Sequence, residues 1–146
     1  MKLRPATSDD AGVLARMHRT AFEAPWGEAE IAALLDGPGG FALIAQDDEP
    51  LGFILCRAIG GEAEVLTLAV DPAARRRGLG RALVQEAVNL ARAGGAEAFF
   101  LEVAEDNHAA ISLYQALRFT WQGRRPKYYQ GVTDALIMRR RLNRGG

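Results

Sequence analysis

The stretch Leu68-Ala69-Val70-Asp71-Pro72-Ala73-Ala74-Arg75-Arg76-Arg77-Gly78-Leu79-Gly80-Arg81-Ala82-Leu83 decides how this chain is read. An apolar, β-favouring run stops at Asp71-Pro72. A short arginine-rich loop follows, then Gly78-Leu79-Gly80, then a helix predicted from the spacing of Leu79, Leu83, Ala87, Leu90 and Ala91, which ends at Gly94-Gly95. Strand, glycine loop and helix N-terminus together aim backbone N–H groups and the positive end of a helix at one point. That arrangement binds anions, pyrophosphate in particular.

Working outward, the residues before this stretch read as a meander. Lys2 to Ala6 is a short strand, and Thr7, Ser8 and Asp9 offer caps for a helix carrying Val13, Leu14, Met17 and Ala21. Pro25-Trp26-Gly27 breaks that helix, and Glu28 to Leu35 forms a second. After the Asp36 to Gly40 loop, strands are predicted at Phe41 to Gln46, Leu51 to Ile59 and Glu62 to Val70. Their short connections make them antiparallel. Beyond the glycine loop, Ala98 to Val103 reads as a strand reached by a parallel crossover. Asn107 to Leu117 follows as a helix, and Phe119 to Gly123 and Asp134 to Arg140 as closing strands. The expected class is α/β (α+β), a mixed sheet of six to seven strands with about four helices, in one domain over 1–146. The basic tail from Arg139 to Gly146 reads as a solvated, fraying end.

Composition narrows the function. The chain has 146 residues, 49% hydrophobic and 25% charged, which suits one globular domain with its own core. A formal net charge of +0 gives no general attraction to nucleic acid or anionic membrane. The single cysteine, Cys56, rules out an internal disulfide and reads as a small core residue within LGFILC. The N-terminus lacks the apolar stretch of a secretory signal, and no run approaches the roughly 18 apolar residues of a membrane span. These features favour a soluble cytoplasmic protein. The two histidines, His18 and His108, have no cysteine cluster near them, so no metal is expected.

Two familiar phosphate loops fail on the residues. A Walker A loop needs Lys and then Ser or Thr after its last glycine, whereas Arg81-Ala82 follows Gly80. The dinucleotide fingerprint needs a third small residue where Leu83 stands, and a βαβ unit where this chain has a meander. What remains is Arg75-x-x-Gly78-x-Gly80 between a strand and a helix.

That motif resembles the acetyl-CoA pyrophosphate loop of the GNAT superfamily of N-acetyltransferases. The resemblance implies a GNAT fold and acetyl-CoA as co-substrate. Backbone N–H groups from Arg76 to Arg81, through Arg77, Gly78, Leu79 and Gly80, would hold the pyrophosphate. Arginine side chains, including Arg75, would reach the outer phosphates. The strand edge at Leu68, Ala69 and Val70 would pair with pantetheine as an added strand does. Asn107 would hydrogen-bond the pantetheine end, and Tyr114 would face the thioester sulfur as general acid. Glu102 would be the general base, with Glu64 and Glu105 as rivals. Within the superfamily, Ala24-Pro25-Trp26-Gly27-Glu28, Leu101-Glu102-Val103, Leu113-Tyr114 and Arg124 to Tyr129 are similar to the RimI-type enzymes, which acetylate the N-terminal alanine of a ribosomal protein. The acceptor implied is a protein N-terminus, with Trp26, Tyr128 and Tyr129 lining its groove. A small-molecule amine as acceptor, or a non-catalytic acyl-CoA-binding module, are the other readings, and the oligomeric state is open. One departure stands out: Arg118 occupies a helix end where members usually carry glycine, which costs up to about 1 kcal/mol if φ is positive.

Overall fold

A computed structural model describes residues 1–129 and 133–142, with backbone alone for 127–129. The strands are β1 (Lys2–Ala6), β2 (Gly40–Gln46), β3 (Pro50–Ile59), β4 (Glu62–Val70), β5 (Ala98–Ala104), β6 (Thr120–Tyr129) and β7 (Thr133–Arg141). The helices are α1 (Ala11–Ala21), α2 (Glu28–Asp36), α3 (Leu79–Ala93) and α4 (His108–Ala116). All seven strands form one sheet in the order β1-β2-β3-β4-β5-β7-β6. Neighbours are antiparallel except β4 and β5, which are parallel and joined through α3. This is the mixed, helix-flanked GNAT fold. No helix among the described residues is long and apolar enough to cross a membrane.

Alternation along the strands sends side chains to two cores. On one face Leu43, Ile54, Cys56, Phe99, Leu101 and Val103 pack against α3 and α4. On the other, Ala42, Ile44, Phe53, Leu55 and Ala69 pack beneath α1 and α2. Cys56 is fully buried, and burial, then the Glu64 charge, pushes its thiol far up in pKa, so it is an inert core residue. Helix α1 is entered through a 3-10 turn at Ser8–Asp10, where the Thr7 hydroxyl accepts from the Asp9 N–H and the Asp10 carboxylate from the Thr7 N–H.

Three expectations are corrected. Leu90, in the last turn of α3, is exposed, although Leu79 and Leu83 on the same side of the helix are buried, so the core ends before this turn on that side. The strand expected at Phe119 to Gly123 is longer, reaching Tyr129. Register shifts between Trp121 and Gly123 and between Arg125 and Tyr129 break its alternation, and Pro126 sits in the second of them on an edge strand, where a missing N–H costs little. The start of the basic tail does not fray. Arg139 to Arg141 belong to β7, and Leu142 is buried in the α3 core. Arg140 is 9% exposed, donating through one guanidinium nitrogen to the Gln85 side chain and to the Leu117 carbonyl at the end of α4. Burial, then the charges of Arg92 and Arg118, lowers its pKa.

Candidate active site

The site begins where the sheet comes apart. β4 and β5 pair only at Glu62 with Ala98, Ala63 with Phe99 and Glu64 with Phe100. Past these pairs β4 continues against β3 to Val70, while β5 continues against β7 to Ala104. A bulge drives the parting. Leu55 of β3 faces Thr67 and Cys56 faces Val65, so Leu66 is an extra residue that bends β4. A cleft of about 1030 Å³ opens through the parting. It is lined from β4 by Thr67 and Leu68, from β5 by Glu102, and from α4 and its cap by Asn107 and Tyr114.

The glycine-arginine loop lies beyond this cleft, at the far end of β4. Asp71 caps a 3-10 turn at Pro72–Ala74, accepting from the Ala73 N–H at 2.8 Å. Arg76 and Gly78 then take left-handed φ of 67° and 78°, which turns the chain into α3 with Gly78 as its N-cap. Gly80 faces Leu113 and Leu68 across the root of the helix. The α3 N-terminus carries no acid in its first turn, so its N–H groups keep their positive potential for a ligand. Arg77 is held by Asp47, from the turn between β2 and β3, at 2.9 Å. Ala69 and Val70 do not line the cleft. Ala69 points into the α1/α2 core, so at that residue only the backbone can meet a ligand. Strand edge, glycine loop and open helix end fit the pantetheine and pyrophosphate of acetyl-CoA.

The candidate acid and base side chains reach the cleft from opposite faces of the sheet. Glu102 shares the face of Phe100, Glu64 and Arg57, the side on which α1 and α2 lie. Its carboxylate is paired with Arg125 of β6 at 2.7 Å. Tyr114 comes from the α3/α4 side, 8% exposed, its ring edge-on to Phe119 at 6.0 Å between centroids. Asn107 caps α4, its side-chain oxygen accepting from the Ala110 N–H at 3.2 Å. Of the rival carboxylates, Glu64 lines the cleft paired with Arg57, while Glu105 lies outside it paired with Arg124. Trp26 lines the cleft; the side chains of Tyr128 and Tyr129 lie outside the described residues. Arg118 adopts φ of 72°, the left-handed conformation anticipated for its position.

Sequence reasoning missed His18. It stands four residues after Leu14 on the inward face of α1, only 2% exposed, and lines the cleft. Its Nδ1 accepts from the Trp26 backbone N–H at 3.0 Å, and its Nε2 lies 3.1 Å from the Thr67 hydroxyl. Burial lowers its pKa against the opposing charge of Glu30. Among the described residues no group of His, Cys, Asp and Glu could hold a metal ion.

Fold and site together define an acetyl-CoA-dependent N-acetyltransferase. The chain belongs to the GNAT acetyltransferase family, whose profile matches residues 12–119. It is similar to the [ribosomal protein bS18]-alanine N-acetyltransferase of Escherichia coli, 32% identical over 125 residues that cover 84% of each chain. The crystal structure of the ribosomal-protein-S18-alanine N-acetyltransferase from Escherichia coli superposes with a TM-score of 0.91 at 29% identity, covering 99% of this chain and 96% of that one. An uncharacterized protein of Mycobacterium leprae is 49% identical over 80 residues, and the match spans only 21% of its length.

Proposed function

We propose that this protein acetylates the N-terminal α-amine of a protein in the cytoplasm, by direct attack in a ternary complex with acetyl-CoA. Glu102 is the general base and Tyr114 the general acid. One observation carries this reading: Glu102 and Tyr114 enter a single cleft from opposite faces of the sheet. An amine can then arrive on the α1/α2 side while the thioester lies along β4. The alanine acetyltransferase of Escherichia coli, similar over most of the chain, supports an N-terminal alanine of a ribosomal protein as the acceptor.

The residues divide the work by chemistry. An α-amine with a pKa near 8 is about one unit from neutrality at pH 7, a cost of about 1.4 kcal/mol, whereas a lysine side chain is more than three units away. A carboxylate is an adequate base for the former, directly or through one water. Arg125 keeps Glu102 turned to the cleft. As the amine nitrogen bonds to the carbonyl carbon and the C–S bond breaks, Glu102 takes the amine proton and the Tyr114 hydroxyl gives its proton to the leaving sulfur. The Asn107 amide would hold the pantetheine end, and the backbone from Leu68 to Val70 its arm.

Glu102→Gln and Tyr114→Phe are each expected to lower kcat/KM on an Ala-starting peptide by roughly 10²–10⁴-fold. Each should remove one limb of the pH profile. Wild-type kcat/KM and pH dependence in both variants would refute the assignment. Acetylation of free amines as fast as of peptides, read by intact mass, would refute the acceptor.

A further inference from the structure

The segment joining α1 to α2, residues 22–27, carries no helix or strand, yet it supplies Phe22, Ala24 and Trp26 to the cleft wall. The His18 imidazole holds it near both ends. The ring is stacked between Phe22, 4.2 Å away at 18°, and Trp26, 5.0 Å away at 15°. Its two nitrogens are committed in opposite senses. A backbone N–H can only donate, so Nδ1, facing the Trp26 N–H at 3.0 Å, is the bare nitrogen. The ring proton of the neutral imidazole is therefore on Nε2, which donates to the Thr67 hydroxyl at 3.1 Å. Thr67 belongs to the bulge of β4 and is held by its pairing with Leu55. One end of the bridge is thus anchored in the sheet, and the other ends on a segment with no ladder of its own.

We infer that His18 is a positioning residue for the acceptor: its neutral imidazole latches the α1–α2 connection to the β4 bulge, and so sets the Phe22 and Trp26 wall against which the acceptor's first side chains pack. The inference rests on the acceptor entering from the α1/α2 side, as proposed above. It goes further in assigning acceptor affinity, apart from donor affinity and chemistry, to a residue that need touch neither substrate. Because β4 keeps its place through β3, loss of the latch frees the wall and leaves the pantetheine strand where it is.

Two variants separate the latch from simple packing. His18→Phe keeps an aromatic ring in the stack but offers nothing to the Trp26 N–H. His18→Asn loses the ring but places an amide oxygen near the position of Nδ1. In steady-state kinetics with an Ala-starting peptide, His18→Phe is expected to raise the peptide KM roughly tenfold, the loss of about one hydrogen bond. The acetyl-CoA KM should stay within about twofold, and His18→Asn should recover most of the peptide KM. Equal peptide KM in all three proteins, failure of His18→Asn to recover, or a parallel rise in acetyl-CoA KM would overturn the inference. Amide exchange at Trp26 reads the latch with no acceptor present. Protection in the wild type and in His18→Asn, lost in His18→Phe, is expected, and equal exchange in all three would overturn it. If no peptide is acetylated by the wild type while Trp26 exchange follows the expected pattern, the peptide acceptor is wrong and the latch stands.

Discussion

A left-handed residue other than glycine is a local cost that the rest of the fold must carry. Arg118 carries one at φ of 72°, directly after the last turn of α4, and it also adds its charge to those of Arg92 and the buried Arg140. Arg118→Gly removes the strained φ and the repulsion together. It is expected to raise stability by about 0.5–1 kcal/mol, partly offset by the freer unfolded chain, and urea unfolding measures it. His18 sets a second expectation, on acid stability. An unfolded histidine takes up its proton near pH 6.5, and burial lowers this value in the fold. Just below pH 6.5 the unfolded chain therefore binds more protons than the folded one. The stabilisation is complete above that pH and falls as pH drops through and below it. Melting curves at pH 5.5 and 7.5 should show a larger gap for the wild type than for His18→Asn. These residues also show where sequence alone runs out. His18 on an apolar helix face looks like any core histidine, and Arg140 within Arg139-Arg140-Arg141 looks like a solvated charge run. Only the tertiary neighbours, Thr67 and Trp26 for one, Gln85 and Leu117 for the other, separate these roles.

At the level of elements, the strand, glycine loop and helix from Leu68 to Leu83 were legible because backbone chemistry dictates them. Pro72 ends a strand, Gly78 supplies a positive φ, and the apolar period of α3 resumes at once. Strand β6 was not legible beyond Gly123, because its bulges destroy the alternation by which a strand is recognised. The bulge at Leu66 beside the parting of β4 and β5 was equally hidden, since it depends on pairing with a partner strand rather than on its own composition. Glu102, Asn107 and Tyr114 were found by resemblance, and the fold brings them into one cleft; their distribution over opposite faces came from the structure. The glycine-arginine loop depends on another element as well. The turn between β2 and β3 contributes Asp47, whose carboxylate is held below its usual pKa first by the hydrogen bond from Arg77. Asp47→Ala should let the loop drift. Because the pair is exposed, the expected rise in acetyl-CoA KM is only about two- to fivefold, with stability unchanged. Raising the salt concentration should shrink the difference between variant and wild type.

For the molecule as a whole, two cores back a single sheet, and α1 and α2 cover only the part of their face under β2, β3 and β4. The other part, carrying Phe100, Glu102 and Ile137, is left as the floor of the cleft. The three-pair junction between β4 and β5 has a consequence for the protein outside the reaction. Most sheets hide their unpaired backbone at the rim, but this one also has unpaired edges in its interior, where a stray strand could add on. A donor lying along Leu68 to Val70 would close that gap and protect the chain as well as feed it. At a hundredfold excess over its Kd the gain is about 2.7 kcal/mol. Incubated warm, the free protein is expected to aggregate faster than the same protein with CoA, by light scattering. In a starved cell, falling acyl-donor levels would then cost the cell enzyme molecules as well as turnover.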